Sequence, residues 1–238
     1  MTDAPPQPRT PPVVILACEV MRSLIENQAC ARGMPAEYLD FGLHLEPKRM
    51  KSALQARLEA LPEPSVVLIG YGLCGNGLVG LEAGPHTLVI PRTDDCIAIL
   101  LGSQQAYLRE FREKPGTYYL TKGWLESNGH PLHEYLEYVE RYGRERADHI
   151  IDMMYHSYRR ICLVAHTQAD LEAYRPRARE VAEFCARRWG MVYEERLGSD
   201  ALIARLLVAA RRPEDLGEDF VVIPPQGVIE QQMFLPDP

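Results

Sequence analysis

Short apolar runs alternate along the chain with segments of helical periodicity. The runs VVILAC, SVVLIGYG and HTLVIP are rich in β-branched residues, which is typical of strands buried on both faces of a parallel sheet. Weaker runs of the same kind recur towards the carboxyl end. The predicted strands cover residues 13–18, 37–42, 65–72, 86–91, 116–121, 159–167, 190–197 and 219–225.

Amphipathic segments fill the intervals between the predicted strands. In one of them Pro47 stands near the start and Met50, Leu54 and Leu58 recur at helical spacing. The predicted helices cover residues 19–31, 47–61, 94–113, 131–158 (as one helix or two), 170–189 and 200–211. Such alternation predicts an α/β fold that is doubly wound, with a mainly parallel sheet and helices on both of its faces.

The predicted elements define one α/β domain over residues 13–225. A subdivision near residues 115–145 into two similar α/β halves fits the pattern as well as one continuous sheet does. Residues 1–12 are rich in proline, and we expect a disordered arm there. Residues 226–238 form a carboxyl-terminal tail without a predicted element.

Composition narrows the classes of function. Of the 238 residues, 46% are hydrophobic, which is enough for a substantial core. The formal charge of -7 argues against a general nucleic-acid partner, which needs a basic face. No apolar run is long enough to span a membrane, and the start lacks the pattern of a secretory signal. We therefore expect a cytoplasmic protein with reduced thiols that acts on a small molecule.

Three of the six cysteines follow predicted strands. Cys18 ends the first strand, Cys74 comes just after the next strong strand, and Cys96 lies a few residues past the following one. Because the carboxyl ends of parallel strands share one edge of a sheet, we expect these thiols to converge. Chance burial is the alternative, since cysteine is a common core residue. The other three cysteines are interpreted as core residues of this kind, which contribute only packing.

Three converging thiolates suit two cofactors. Zinc held by three protein ligands keeps a fourth position open for substrate, and a [4Fe-4S] cluster held by three cysteines has one exposed iron. The sequence around Cys74, GYGLCGNG, adds Gly72, Gly75, Asn76 and Gly77 as cofactor-binding candidates, because glycines let the backbone bend and aim its N–H groups. Similar loops bind phosphates, and Asn76 is also a common helix cap.

Three more residues are candidates for catalysis. Glu19 follows Cys18 and could act as a general base, although a salt bridge is an alternative. Arg92 follows a predicted strand and could clamp a carboxylate, or form a structural ion pair. His166 ends another strand and could serve as a fourth ligand or a proton carrier. Tyr71 and Trp124 could wall an apolar pocket or hold a quaternary ammonium group.

Four segments carry a resemblance to a known family. The segments ILACEV, GYGLCGNGLVGL, IPRTDDCIAILLGS and GTYYLTKGW resemble domain-of-unknown-function family 1638, over about residues 13–225. The family's three motif cysteines map onto Cys18, Cys74 and Cys96. A histidine that the family's motif carries before Asp-Cys is replaced here by Asp94. The resemblance implies a link to corrinoid-dependent methyltransferases that use methylamines or betaines.

Three functions follow as hypotheses. The first is a metal-thiolate protein of corrinoid and one-carbon metabolism, with zinc ahead of the iron–sulfur cluster. The second is a non-enzymatic adaptor or chaperone for a corrinoid methyltransferase system. The third is a metal-free enzyme with Cys74 as nucleophile.

Overall fold

The computed structural model describes residues 11–209 and 216–235. Most of the expected disordered arm, residues 1–10, lies outside the described residues, as do residues 210–215 and 236–238 at the end of the last predicted helix and of the tail. Within the described ranges, none of the helices is long and apolar enough to cross a membrane.

Within the described ranges, eight strands form two sheets, in the order of the predicted runs. They are β1 (Val13–Cys18), β2 (Ala36–Leu39), β3 (Val66–Gly70), β4 (Thr87–Pro91), β5 (Thr117–Leu120), β6 (Arg160–Ala165), β7 (Val192–Leu197) and β8 (Phe220–Ile223). The first sheet has the order β2-β1-β3-β4-β8, and the second has the order β5-β6-β7.

The first sheet is parallel except for its last strand. β1 pairs with β2 on one side and with β3 on the other, and β3 pairs with β4. In the pair of β1 and β3, Val14 lies opposite Val67. β8 runs antiparallel to β4. All five residues of β3 are buried, since helices cover both faces of a central parallel strand. The second sheet is parallel throughout.

Nine helices pack around the sheets in the described part of the chain. They are α1 (Arg22–Glu26), α2 (Pro47–Glu59), α3 (Cys96–Leu100), α4 (Gln104–Glu113), α5 (Lys122–Glu126), α6 (Pro131–Tyr142), α7 (Arg144–Tyr155), α8 (Gln168–Trp189) and α9 (Ala201–Ala209). In α2, Pro47 occupies the first turn and Met50, Leu54 and Leu58 are buried, as their spacing predicts. The α/β class with mainly parallel sheets is therefore confirmed.

Two helix predictions were wrong in extent. The helix predicted over residues 94–113 is broken between α3 and α4, because Gly102 adopts φ +90° and the hydroxyl of Ser103 starts a new helix by accepting from the N–H of Ala106. The helix predicted over residues 19–31 shrinks to α1, flanked by two 3-10 turns. The pattern also missed α5.

One buried core joins both sheets. It contains Leu68 and Ile90 of the first sheet and Ile161 and Leu163 of the second. The second sheet begins at Thr117, inside the interval where a subdivision was considered. However, β8 returns to the first sheet, so each sheet is not built from one uninterrupted half of the chain.

Candidate functional site

The order of the strands creates a crevice between β1 and β3. From β1 the chain first adds β2 on one side and later β3 on the other. In open α/β sheets, ligands bind outside the carboxyl ends of the strands at the point where the winding reverses. Cys18 is the last residue of β1, and Cys74 lies shortly after the end of β3 at Gly70. Two of the predicted cysteines therefore flank this point.

The backbone that carries Cys74 is left-handed over three consecutive residues. The φ angles are +47° at Cys74, +62° at Gly75 and +67° at Asn76. For a residue with a side chain, this conformation costs about 1–2 kcal/mol. The N–H of Gly77 donates to the carbonyl of Cys74 at 3.1 Å and closes the turn. Strain of this kind concentrates at functional sites, because only the surrounding structure can hold it.

Two backbone hydrogen bonds tie this turn to the start of α3. The N–H of Leu73 donates to the carbonyl of Thr93, and the N–H of Cys74 donates to the carbonyl of Asp94, both at 2.9 Å. Gly72 makes this approach possible, since a Cβ atom at that position would lie 2.6 Å from the backbone carbonyl carbon of Asp95. The turn that holds Cys74 is thereby fixed against the turn that holds Cys96.

Position 77 requires glycine for a different steric reason. A Cβ atom there would lie 2.0 Å from Cε of Met50, a fully buried side chain of α2. Of the four candidates around Cys74, Gly72 and Gly77 are therefore buried packing positions. Gly75 and Asn76 are exposed and have the left-handed backbone. Asn76 does not cap a helix in this turn.

The three cysteines meet at the carboxyl edge of the first sheet. Their exposed fractions are 4% for Cys18, 8% for Cys74 and 9% for Cys96, and all three thiols are free. The thiols of Cys74 and Cys96 are within hydrogen-bonding distance, and this contact together with burial holds the pKa of Cys96 well above its usual range. Burial, with the nearby Cys74, raises the pKa of Cys18 to about 12.

Tyr71 lies among the same thiols. Its ring is 1% exposed, and its hydroxyl is buried without a hydrogen-bond partner among the described residues. Burial raises the pKa of this hydroxyl, and the charges of Cys18, Cys74 and Cys96 add to the effect. A buried donor without a partner is unusual in a folded protein. A polar group is therefore available beside the sulfurs for a bound atom.

A cavity of about 410 Å³ opens onto Cys74 and Cys96. It extends from these two thiols to β5 and α4, and six aromatic side chains line it. The aromatic residues are Tyr107, Phe111, Tyr118, Tyr119, Trp124 and Tyr158. Its volume lies within the usual range for small-molecule sites, about 300–1,000 Å³. The aromatic lining makes it mostly apolar, whereas the cysteine end is the reactive part.

Asp95 provides the acidic group at this cavity. Its side chain caps α3 by accepting from the N–H of Ile97 at 2.8 Å, and it also hydrogen-bonds with Tyr107. Burial raises the pKa of the Asp95 carboxyl. The cationic side chain in the lining is Lys114, whose ammonium group donates to Glu194 at 2.7 Å.

The three predicted catalytic residues lie elsewhere. Glu19 pairs with Arg22 at 2.5 Å and lines a neighbouring cavity, although its charge reaches Cys18. The Nε atom of Arg92 is buried and has no partner among the described residues, and this side chain is not part of the lining of the cysteine cavity. The ring of His166 is hydrogen-bonded to the carbonyl of Leu100 at 2.9 Å, and burial lowers its pKa.

Metal coordination requires a closer arrangement than the side chains adopt here. Among residues 11–209 and 216–235, no three His, Cys, Asp or Glu side chains are grouped so that they could hold a metal ion as they stand. The donor chemistry fits zinc or an iron–sulfur cluster, since three thiols and a hydroxyl without a partner lie together. The contact between Cys74 and Cys96 is the part of this cluster that the structure already forms.

Most of the cavity wall was not predicted from the sequence. Tyr107 and Phe111 stand four residues apart and therefore share one face of α4, which is a signal that the sequence contains. Tyr118 and Tyr119 come from β5. Trp124 lines the cavity, as predicted from the sequence, although the helix that carries it was not predicted, whereas Tyr71 lies beside the thiols and not in the lining. Asp95 was not among the predicted site residues.

Fold and cavity together define a class: an α/β protein with a cysteine-lined, aromatic-walled cavity at the carboxyl edge of its parallel sheet. Within that class, the chain belongs to the family described as "Protein of unknown function (DUF1638)", which matches residues 38–207 and confirms the resemblance. Cys74 and Cys96 lie inside the matched region, whereas Cys18 precedes it. Comparison with curated proteins gives no match, and comparison with solved structures gives none either.

Proposed function

We propose that this chain is a metal-thiolate protein of corrinoid and one-carbon metabolism, in which Cys18, Cys74 and Cys96 hold zinc or, alternatively, a [4Fe-4S] cluster. The observation that carries the proposal is the placement of three free, buried thiols at or just beyond the carboxyl ends of three neighbouring parallel strands, at one edge of the sheet. Their spacing along the chain is too wide for a local motif, so only the fold explains their proximity.

The left-handed turn supports a functional role for Cys74. A cysteine that only fills the core has no need of an unfavourable backbone, because ordinary helix and strand positions bury it at no such cost. Cys185, which is fully buried inside the long helix α8, is an example. At Cys74 the strain is retained where the side chain faces a cavity.

The open side of the thiol cluster supports a substrate position. Zinc bound by three cysteines would supply a Lewis acid with one open coordination position. The chain itself contributes the cavity that leads to this position, and its aromatic walls make the approach to the sulfur end mostly apolar. The methyl-transfer part of the proposal, with a methylamine or betaine as methyl donor, rests on the resemblance to the family. A cytoplasmic location belongs to the same proposal, since six free cysteines need a reducing compartment.

Metal analysis of anaerobically purified protein tests this proposal. We expect about one zinc per chain in a colourless protein, or a brown protein with broad visible absorption and iron. Cys74→Ser should lose the metal, because serine is a poor ligand for either cofactor. Cys30→Ser is the matched control, since Cys30 is only partly buried, lies outside the cavity and should leave the metal content unchanged. Folded wild-type protein without metal, or equal metal in both variants, would refute the proposal.

An adaptor for a corrinoid methyltransferase system is the second candidate. The helix α4 has no buried residue, and its Leu108 and Phe111 are 38% and 57% exposed. Exposed apolar side chains beside a cavity suit a partner protein. This candidate predicts that a purified corrinoid protein co-elutes with the chain, and that the double variant Leu108→Ser and Phe111→Ser abolishes co-elution without changing the metal content. Co-elution that persists in the double variant would contradict it.

A further inference from the structure

The described hydrogen bonds of the Asp95 carboxylate are all to neutral groups. The carboxylate accepts hydrogen bonds from the backbone of Ile97 and from the hydroxyl of Tyr107, which are both neutral. In the described part of the chain, no cationic side chain forms an ion pair with it. The ammonium group of Lys114, at the same cavity, is bound by Glu194. A partly buried charge is unfavourable unless an opposite charge lies near it.

The aromatic side chains around Asp95 favour the same kind of ligand. The face of an aromatic ring is electron-rich and attracts cations, and alkylated ammonium groups are bound by clusters of such rings. Six aromatic side chains line this one cavity, and among them Tyr118 and Tyr158 pack edge-to-face with ring centres 5.4 Å apart. An anionic ligand would be repelled by the carboxylate of Asp95. A neutral ligand would leave the negative charge of Asp95 without an opposite charge nearby.

We propose that the cavity binds a small organic cation, with its alkylated ammonium group among the aromatic side chains and Asp95 as its counter-charge. The volume of about 410 Å³ accommodates a ligand of this size next to Cys74 and Cys96. This inference deepens the proposed function and rests on it for the role of the cation as substrate. The binding of the cation itself depends only on Asp95 and the rings.

A matched pair of ligands tests this on the wild-type protein. Choline carries a trimethylammonium group, and 3,3-dimethylbutan-1-ol has the same shape with a neutral carbon in place of the nitrogen. We expect calorimetry to show that choline binds at least about tenfold more tightly than the neutral alcohol, since cation–π attraction and one counter-charge together exceed about 1.4 kcal/mol. Equal affinities, or no binding of either ligand, would overturn the inference.

A pair of variants tests whether Asp95 supplies the counter-charge for the bound cation. Asp95→Asn should weaken the binding of choline about tenfold and leave the binding of the neutral alcohol unchanged. Asparagine still caps a helix, so α3 is retained. Asp94→Asn is the matched control, because this neighbouring side chain is exposed, bonds to Gln104 and lies outside the lining of the cavity. An Asp94→Asn variant that loses as much affinity as Asp95→Asn would refute the assignment to Asp95.

Metal content measured on the same samples separates the two proposals. Choline that binds selectively to protein without any metal would sustain the cation site and refute the metal-thiolate function. Metal at full occupancy together with equal binding of choline and the neutral alcohol would refute the cation site alone.

Discussion

Replacing Gly72 by alanine tests whether the contact between two turns brings Cys74 to Cys96. The added Cβ atom would lie 2.6 Å from the carbonyl carbon of Asp95, and 2.7 Å from both its oxygen and Oγ1 of Thr93. Ordinary contact begins at 3.4 Å, so the two turns must separate by about 0.8 Å. Most of the opposing atoms belong to backbone, which has little freedom to yield.

The structure sets the size of the effect. The two hydrogen bonds between the turns are 2.9 Å long, and a separation of this size stretches both beyond the usual range of about 2.7–3.2 Å. Each such bond contributes about 1 kcal/mol net, and overpacking a buried site costs about 1–3 kcal/mol. Together, the two bonds and the overpacking should lower the free energy of unfolding by about 3–5 kcal/mol. Domains have about 5–15 kcal/mol, so a folded population should remain to be measured.

Metal retention is the more specific measurement. Moving the support of one ligand typically weakens metal affinity about 10–100-fold. Urea unfolding followed by circular dichroism gives the stability, and metal that remains after dialysis against a chelator gives the relative affinity. Gly84→Ala is the matched control, since Gly84 has φ +56° with no atom within 4 Å of its Cβ position. The Gly84→Ala variant should lose about 1–2 kcal/mol of its free energy of unfolding through backbone strain, and it should keep its metal.

A Gly72→Ala variant that retains metal through dialysis as well as the wild-type protein does would contradict this prediction. The contact between the turns would then not determine how Cys74 is placed relative to Cys96. A loss of metal in Gly84→Ala as large as in Gly72→Ala would also contradict it, because general destabilisation would explain both results.

Three further predictions concern stability. Gly77→Ala should lower the free energy of unfolding by about 1–3 kcal/mol, because its Cβ would lie 2.0 Å from Cε of Met50. Adding Met50→Leu should recover part of this loss. Strictly additive effects of the two substitutions in urea unfolding would argue against the clash. Burial lowers the pKa of His130 to about 4. Below about pH 6.5, His130 therefore binds a proton in the unfolded chain but not in the folded chain. Stability should therefore fall as the pH drops from about 6.5 to 4, by at most about 1.4 kcal/mol per pH unit, and less steeply in His130→Asn; equal slopes in urea titrations would contradict this. Arg175→Lys should lower the melting temperature by a few degrees at most, since the two 2.8 Å hydrogen bonds to Glu195 become one, and a larger fall would show a role beyond this partly exposed pair.

The sequence was sufficient to predict the strands that position the cysteines. Continuous β-branched runs before Cys18 and Cys74 indicate parallel strands, and parallel strands share a carboxyl edge. The convergence of the thiols follows from that single rule. Which other side chains share the edge does not follow from it, because Glu19 turns to Arg22 and His166 turns to the carbonyl of Leu100.

The aromatic wall depends on packing that the pattern leaves open. Periodicity shows that Tyr107 and Phe111 share a face, but it does not show whether that face meets the core, the solvent or a cavity. Gly102 breaks the predicted helix and thereby redirects α4, while the apolar spacing continues on both sides of the break. A second sheet brings β5 to the other side of the cavity, and strand runs alone do not assign strands to sheets.

The return of β8 to the first sheet has a consequence for biosynthesis. Pro91 of β4 pairs with Phe220, although the whole three-stranded sheet is translated between them. Until β8 emerges from the ribosome, the outer side of β4 presents unpaired amides and carbonyls to other nascent chains. The edge of β4, the strand that precedes Cys96, is therefore closed only after β8 has been made, which makes chaperones that shield nascent edges relevant to the yield of folded protein.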